Sequence, residues 1–397
     1  MAGKYEKKKE PVPGKVQKED TGSTGGKGGK ILLIVLAVVL GLIVVLIAAG
    51  IIYYNATLNK MNKVTVPKVN YTTSATEYQE MTMPTEAATE ATTEPTTEAT
   101  TEPTEPHVAS REDYINILVV GQDAREGEAN HLADSMILCT VNTYEKTLTM
   151  TSIFRDTQLQ VGSSYTDTKG GRHTSGRVKI NMIYASGYTY GYGTADAMGW
   201  MNQVMYDNFG VEVDHNFEIN FDLFMEAVEA MGGVDIEITE AEADYLNKDT
   251  LWVRKEVQPG VVHMGGMTAL SYVRMRHADG DQGDISRTVR QRKFVSAVVE
   301  KMKTMDAARI QKVIDKVMPN ITTSMTNSEI TALIAKLLPI LPSLEIKQSG
   351  TCPQQGAYWG KLVDIFGNGV QHSVLQFNPQ TVKKYMRALT LGEGTIE

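Results

Sequence analysis

A mixed α/β fold, with helices on both faces of a largely antiparallel central sheet, is what the folded part of this sequence predicts. Three apolar runs of strand length open it: INILVVG (115–121), SMILCTV (135–141) and TLTMTSI (147–153), the last two joined by the hairpin-length NTYEK. Helix-period stretches at 194–209 and about Asp222–Met231 then alternate with the strands FEIN (217–220) and VDIEI (234–238). Punctuation agrees with these boundaries. Gly232-Gly233 supplies a positive-φ stop after Met231, and Thr326 to Glu329 is a capping box ahead of ITALIAKLL. Asn378-Pro379 sets the cap and first turn of a final helix.

Residues 1–30 hold eight lysines against four acidic residues and no apolar periodicity. ILLIVLAVVLGLIVVLIAAGII (31–52) follows, 22 residues without a charge, where roughly 20 are needed to cross about 30 Å of hydrocarbon. Lys30 precedes this run, and Tyr53 and Tyr54 follow as interfacial anchors. The expectation is one membrane helix over 31–53 in the cell membrane, with the N-terminus cytoplasmic and the remainder extracellular. A cleaved signal peptide is the alternative, but its apolar core is typically about 7–15 residues long. Residues 71–106 place eight glutamates among threonines and prolines, a composition that cannot offset the entropy of ordering. A linker over 54–107 is therefore expected, acting as a stalk that holds a main domain (108–305) away from the membrane. A C-terminal helical or α+β extension (306–397) packs on that domain.

The net charge is −8. An acidic chain with only a local arginine cluster lacks the broad basic face of nucleic-acid binders, so no nucleic-acid partner is expected. Two cysteines, Cys139 and Cys352, establish no disulfide framework, although export permits one bridge.

If the first three strands alternate in direction, charged residues converge at one rim of the sheet. Asp123 and Arg125 follow the first strand, Asp134 precedes the second, and Arg155 and Asp156 end the third. Polar strand ends are common in any fold, so this convergence alone proves little. Lys179 and Asn181, in VKINMIYASGYTYGYG, are further candidates for the same site.

YVRMRHADGDQGDISRTVRQRK (272–293) carries five arginines: Arg274, Arg276, Arg287, Arg290 and Arg292. On a helical wheel from Asp284, Arg287 and Gln291 share the stripe of Phe294, Val298 and Met302, with Arg290 at its edge and Arg292 elsewhere. Charge on a core-facing stripe requires an anionic partner, and the guanidinium fork matches phosphate oxygens in two-point geometry. Arg287, Arg290 and Gln291 are thus read as a phosphate clamp. A solvated charge run is the bland alternative.

The segments ILVVGQDAR, ADS, SIFRDT, KIN, NFDLF, GGVDIEI, PGVVHMGGMTALSYVRMRH and DISRTVRQ, behind a single anchor, together resemble the LytR–CpsA–Psr family of bacterial envelope enzymes over roughly 114–303. Each is weak alone; their order makes the set specific. The resemblance implies transfer of a teichoic-acid or capsule-type glycopolymer from an undecaprenyl-pyrophosphate carrier onto peptidoglycan, assisted by magnesium. Asp123 and Asp134 then suit magnesium as hard oxygen ligands. Arg125, Arg155, Arg274, Arg276, Arg287 and Arg290 would neutralise the phosphates. Asp156 is the candidate to orient an arginine or to take the acceptor's proton. The apolar faces of the 194–209 and 222–231 helices are offered as walls of a polyprenyl channel, with ordinary core as the alternative. Leu132 stands where family members often carry an arginine, which removes one donor.

Two rival functions share these residues. A polyprenyl-pyrophosphate phosphohydrolase would use water in place of the sugar hydroxyl. A non-catalytic envelope-polymer binder would tolerate loss of the aspartates but not of the arginines.

Overall fold

The computed structural model describes residues 58–69, 71, 110–122, 131–162, 176–190, 193–249, 253, 255–276, 278, 283–337, 339–340 and 343–393. The basic tail, the apolar 31–52 run, Asp123 and Arg125 lie outside the described residues. No helix among the described residues is long and apolar enough to cross a membrane.

The first half of the chain forms β1 (Asn62–Lys63), β2 (Tyr114–Gln122), β3 (Ala133–Asn142), β4 (Thr147–Ile153) and the hairpin β5 (Gln158–Val161) and β6 (Gly176–Lys179). Helices α1 (Ile180–Tyr190) and α2 (Thr194–Phe209), β7 (His215–Ile219), α3 (Phe221–Ala230), β8 (Val234–Ile238) and α4 (Glu240–Lys248) follow. Then come β9 (Gly260–Met264), α5 (Gly266–Arg274), α6 (Asp284–Lys303) and α7 (Ala307–Val317). The chain closes with β10 (Thr322–Thr323), α8 (Asn327–Leu337), β11 (Glu345–Cys352), the hairpin β12 (Tyr358–Val363) and β13 (His372–Phe377), and α9 (Pro379–Leu391).

Seven strands make the central sheet in the order β1-β10-β7-β2-β3-β4-β11. Three neighbouring pairs are antiparallel (β10/β7, β2/β3, β3/β4) and three parallel (β1/β10, β7/β2, β4/β11). The expected largely antiparallel sheet is therefore evenly mixed. Only β2, β3 and β4 are joined in direct succession; β7 and β11 return through helices, which delivers strands in parallel.

Both faces of the sheet are covered, so β3 is buried along its whole length. On one face Ile117, Val119, Ile137 and Met150 meet Leu223 and Phe224 of α3, Leu270 of α5 and Phe294 of α6. On the other, Leu118, Val120, Met136 and Leu138 meet Ile183 of α1, Met198 and Met201 of α2 and Met386 of α9. Helices α2 and α3 thus lie on opposite sides of the sheet and cannot wall one channel; their apolar faces are core. The two cysteines are free and buried. Cys139 belongs to the first face and Cys352 to the second, an arrangement that rules out a bridge.

Local signals survive intact. Thr326 Oγ1 accepts from the Glu329 amide while Glu329 Oε2 accepts from that of Thr326. Asn378 caps α9 through Gln380 N and Thr381 N. Gly232 and Gly233 take φ of 76° and 84°. Two expected boundaries move. Leu58 and Met61, assigned to the linker, are buried in the first core, and β1 pairs with β10. The expected C-terminal extension supplies β10 and the opposite edge strand β11, so the sheet is built from both ends of the chain.

Candidate active site

Antiparallel β2, β3 and β4 bring the end of β2, the start of β3 and the end of β4 to one rim, and helix termini complete it. Asp134 lies at the start of β3, 2% exposed by its side chain. Arg155, just past β4, is the hub. Its Nη1 is 3.2 Å from Asp134 Oδ1, and its Nε lies 2.9 Å from Asp284 Oδ2 and 3.5 Å from Asp156 Oδ2. Lys179 Nζ donates to Asp156 Oδ1 at 2.7 Å, and Asn181 Nδ2 to Asp134 Oδ1 at 3.4 Å. Behind Asn181 on α1, Tyr184 and Tyr188 both donate to the buried Glu218 of β7, which pins the helix to the sheet.

The opposite wall is the start of α6. Asp284 is its first residue and gathers three arginines: Arg155, Arg287 (Nη2, 3.2 Å) and Arg276 (Nε, 3.7 Å). Arg274 lies with its guanidinium 5.1 Å from the centre of the Phe221 ring. Asp284 drew no role from the sequence. Its signal was there: an acidic residue opening a helix, three residues before an arginine. Its partnership with Arg155, 129 positions away, had none.

Arg287 fulfils the inward placement read from the wheel, but Arg290 does not face this cluster. Its Nε lies 2.7 Å from Glu242 Oε1 and its Nη1 donates to the Met275 carbonyl at 3.0 Å. Gln291 Nε2 donates to the Val273 carbonyl at 3.3 Å. These two residues hold the end of α5, and with it the turn that carries Arg274 and Arg276. Arg292, expected on another part of the wheel and away from the site, is buried and donates through Nη1 to Ser152 Oγ and the Gly350 carbonyl. The single-stripe reading fails because the first turns of α6 are enclosed on several sides, by α5 and β8 and by β11.

Four cations (Arg155, Lys179, Arg276, Arg287) and three carboxylates (Asp134, Asp156, Asp284) thus meet among the described residues. Burial pushes the Asp134 carboxyl up, against the pull of Arg155, Arg287 and Asn181. Burial also works on Asp284, but Arg287, Arg155 and Arg276 outweigh it and hold that carboxyl low. Burial brings Arg287 down to about 9, opposed by Asp284 and reinforced by Arg155 and Arg276. At neutral pH it keeps its charge.

A pH dependence follows. A carboxyl held low in the folded state adds stability above the ordinary aspartate value of about 4 and loses it as pH falls through the lowered value. Asp284→Asn is therefore expected to destabilise most at pH 7, with the gap to the parent narrowing below about pH 4. Urea unfolding at pH 7, 5, 4 and 3 reads this, and a gap independent of pH would refute it.

No three ligating side chains gather into a metal site among the described residues. Asp134 Oδ2, however, is buried without a hydrogen-bond partner. A cation shared with substrate oxygens needs only one or two protein carboxylates, and this oxygen fits that need.

The profile of the LytR_cpsA_psr family matches residues 68–363. The chain belongs to the LytR–CpsA–Psr family. Biofilm regulatory protein A of Streptococcus mutans is 30% identical over 270 residues, 63% of this chain and 61% of that protein. TagU of Halalkalibacterium halodurans, named polyisoprenyl-teichoic acid–peptidoglycan teichoic acid transferase, is 33% identical over 193 residues, 48% of this chain and 54% of its own. The matches span about half to three-fifths of these relatives' length. Among solved structures, TagT bound to LI-WTA matches with TM-score 0.52 at 23% identity, covering 72% of this chain and 98% of that one. Protein gbs0355 of Streptococcus agalactiae matches at 0.53 and 23%, covering 70% and 88%. At such identity the likeness is one of fold, and it shares the mixed sheet described above.

Proposed function

We propose that this LytR–CpsA–Psr chain moves a teichoic-acid or capsule-type glycopolymer from an undecaprenyl-pyrophosphate carrier onto peptidoglycan, anchored in the cell membrane through residues 31–52. The observation that carries this is the guanidinium cluster of Arg155, Arg276 and Arg287 at the rim of the sheet, held in place by Asp134 and Asp284. The names of relatives that act on teichoic acid and peptidoglycan support it.

Phosphoryl transfer asks of a protein mainly positioning and charge neutralisation. The acceptor hydroxyl forms a new bond to the sugar-side phosphorus, the bond to the bridging oxygen breaks, and polyprenyl phosphate leaves while the hydroxyl's proton passes to Asp156 or to water. Arg155, Arg276 and Arg287 supply fork donors for oxygens whose charge grows in that step. Asp156, bonded to Lys179 and close to Arg155, orients these cations. Magnesium, when bound, supplies divalent charge against the pyrophosphate oxygens. Asp134 is the described residue to hold it, with Asp123 as its expected companion.

Asp134→Asn keeps the volume and removes the charge. In an assay with lipid-linked donor and peptidoglycan, it is expected to lose at least about 100-fold in rate, together with the response to magnesium. Near-normal transfer at low magnesium would refute the assignment. Polymer released into solution at the same rate without peptidoglycan would favour the phosphohydrolase.

A further inference from the structure

The N-terminal segment 58–71 is part of the body of the domain. Leu58 is fully buried. Asn62 N donates to the Ile321 carbonyl and Val64 N to that of Thr323, both at 3.0 Å, as β1 pairs with β10. Asn327 Nδ2 donates to Asn59 Oδ1 at 2.8 Å, and Lys60 lies 3.7 Å from Asp315. At the far end of the segment, Tyr71 donates to the Val213 carbonyl at 3.0 Å and packs its ring on Tyr206 at 4.8 Å. The described chain resumes at Ser110. Arg111 then reaches Glu212 Oε2 at 3.0 Å and Asp214 Oδ1 at 2.5 Å. The two flanks of the Thr/Glu/Pro tract are therefore fastened to neighbouring residues of one short stretch, Tyr71 to Val213 and Arg111 to Glu212 and Asp214.

Two lengths decide what this means. Six residue steps separate Ile52, the last of the apolar run, from buried Leu58, a reach of at most about 20 Å. Were the tract a spacer, its 36 residues (71–106) would add up to about 110 Å in extended form. Its flanks are clasped side by side, so it adds none. The strand register gives a direction as well. Asn62 is level with Val120 and Lys63 with Val119, so β1 runs away from the Gln122 end, where the arginine cluster lies.

We infer that the strap 58–71 seats the folded domain directly against the lipid surface at the site end of its sheet, and that the Thr/Glu/Pro tract adds no distance between anchor and domain. This rests on the membrane anchor proposed above. It places the rim of Asp134 and Arg155 on the side from which a lipid-linked donor arrives.

The test uses the full-length chain in membrane vesicles, with a protease recognition sequence replacing residues 88–94. After complete cleavage, both fragments are expected to sediment together and to part only in denaturant, because residues 58–71 stay folded into the C-terminal fragment. A second chain carries the recognition sequence between Tyr54 and Leu58, and its cleavage is expected to release the domain. Three results overturn the inference. Release of the C-terminal fragment from the membrane after the first cut, under native conditions, is the first. Retention after the second cut would show that the strap is not what holds the domain. Failure of the uncut chain to sediment would remove the anchor, while transfer chemistry would still be judged with donor in detergent.

Discussion

Arg155→Ala is expected to lower transfer from the lipid-linked donor by about 100- to 1,000-fold, with Arg155→Lys recovering little. Among the described residues, Arg155 is the one side chain within 3.5 Å of all three carboxylates of the site, Asp134, Asp156 and Asp284. Its fork spans Asp134 at one end and Asp284 at the other, a division that an ammonium cannot reproduce. Removing one donor aimed at charge that develops in the transition state typically costs about 2.7–4 kcal/mol, and each tenfold in rate is about 1.4 kcal/mol. The loss is expected in kcat as well as in donor affinity, since the same group neutralises charge that grows during the step. Steady-state kinetics on the two variants, with circular dichroism as the folding control, reads both. A lysine variant within threefold of the parent would mean that a point charge suffices and that the bridging geometry is incidental.

Contacts written within a few residues were legible in the sequence, and those between distant segments were not. Both capping motifs and the glycine stop after α3 follow from side chains three or four positions apart. The rim of the sheet was legible because alternating strand direction is enough to bring Asp134 and Arg155 together. Arg290 and Arg292 were misplaced for a reason a wheel cannot contain. It reports which residues share a stripe, not how many neighbours surround the helix. Glu242 for Arg290 and Gly350 for Arg292 come from segments about fifty residues to either side. The start of the linker was misplaced because Leu58, Met61, Val64 and Val66 were judged with the Thr/Glu/Pro tract that follows, when their spacing carries its own apolar pattern and they pack in the body.

The arginines of α6 should separate into three behaviours. Arg290→Ala leaves Glu242 buried without its cation and the Met275 carbonyl without its donor. Glu242 also closes the capping box of α4 with Thr239, so the start of that helix loosens too. A loss of about 3–5 kcal/mol in unfolding free energy is expected. The double variant Glu242→Gln, Arg290→Met should recover much of it, because neither change leaves a buried charge behind. Arg287→Ala should do the opposite. Its folded-state pKa is depressed, so its charge costs stability at neutral pH, and Asp284 keeps Arg155 and Arg276 as partners. Stability should hold or rise, while donor binding falls about ten- to a hundredfold for one lost charge-assisted contact of roughly 1.5–3 kcal/mol. Arg292→Ala gives up its bonds to Ser152 and Gly350. It is expected to lose about 1–3 kcal/mol of stability with little change in donor affinity. Urea unfolding and donor binding measured side by side on the three variants distinguish these outcomes. Equal losses of binding at unchanged stability in all three would place every one of these arginines in the site and disprove the Arg290–Glu242 pairing.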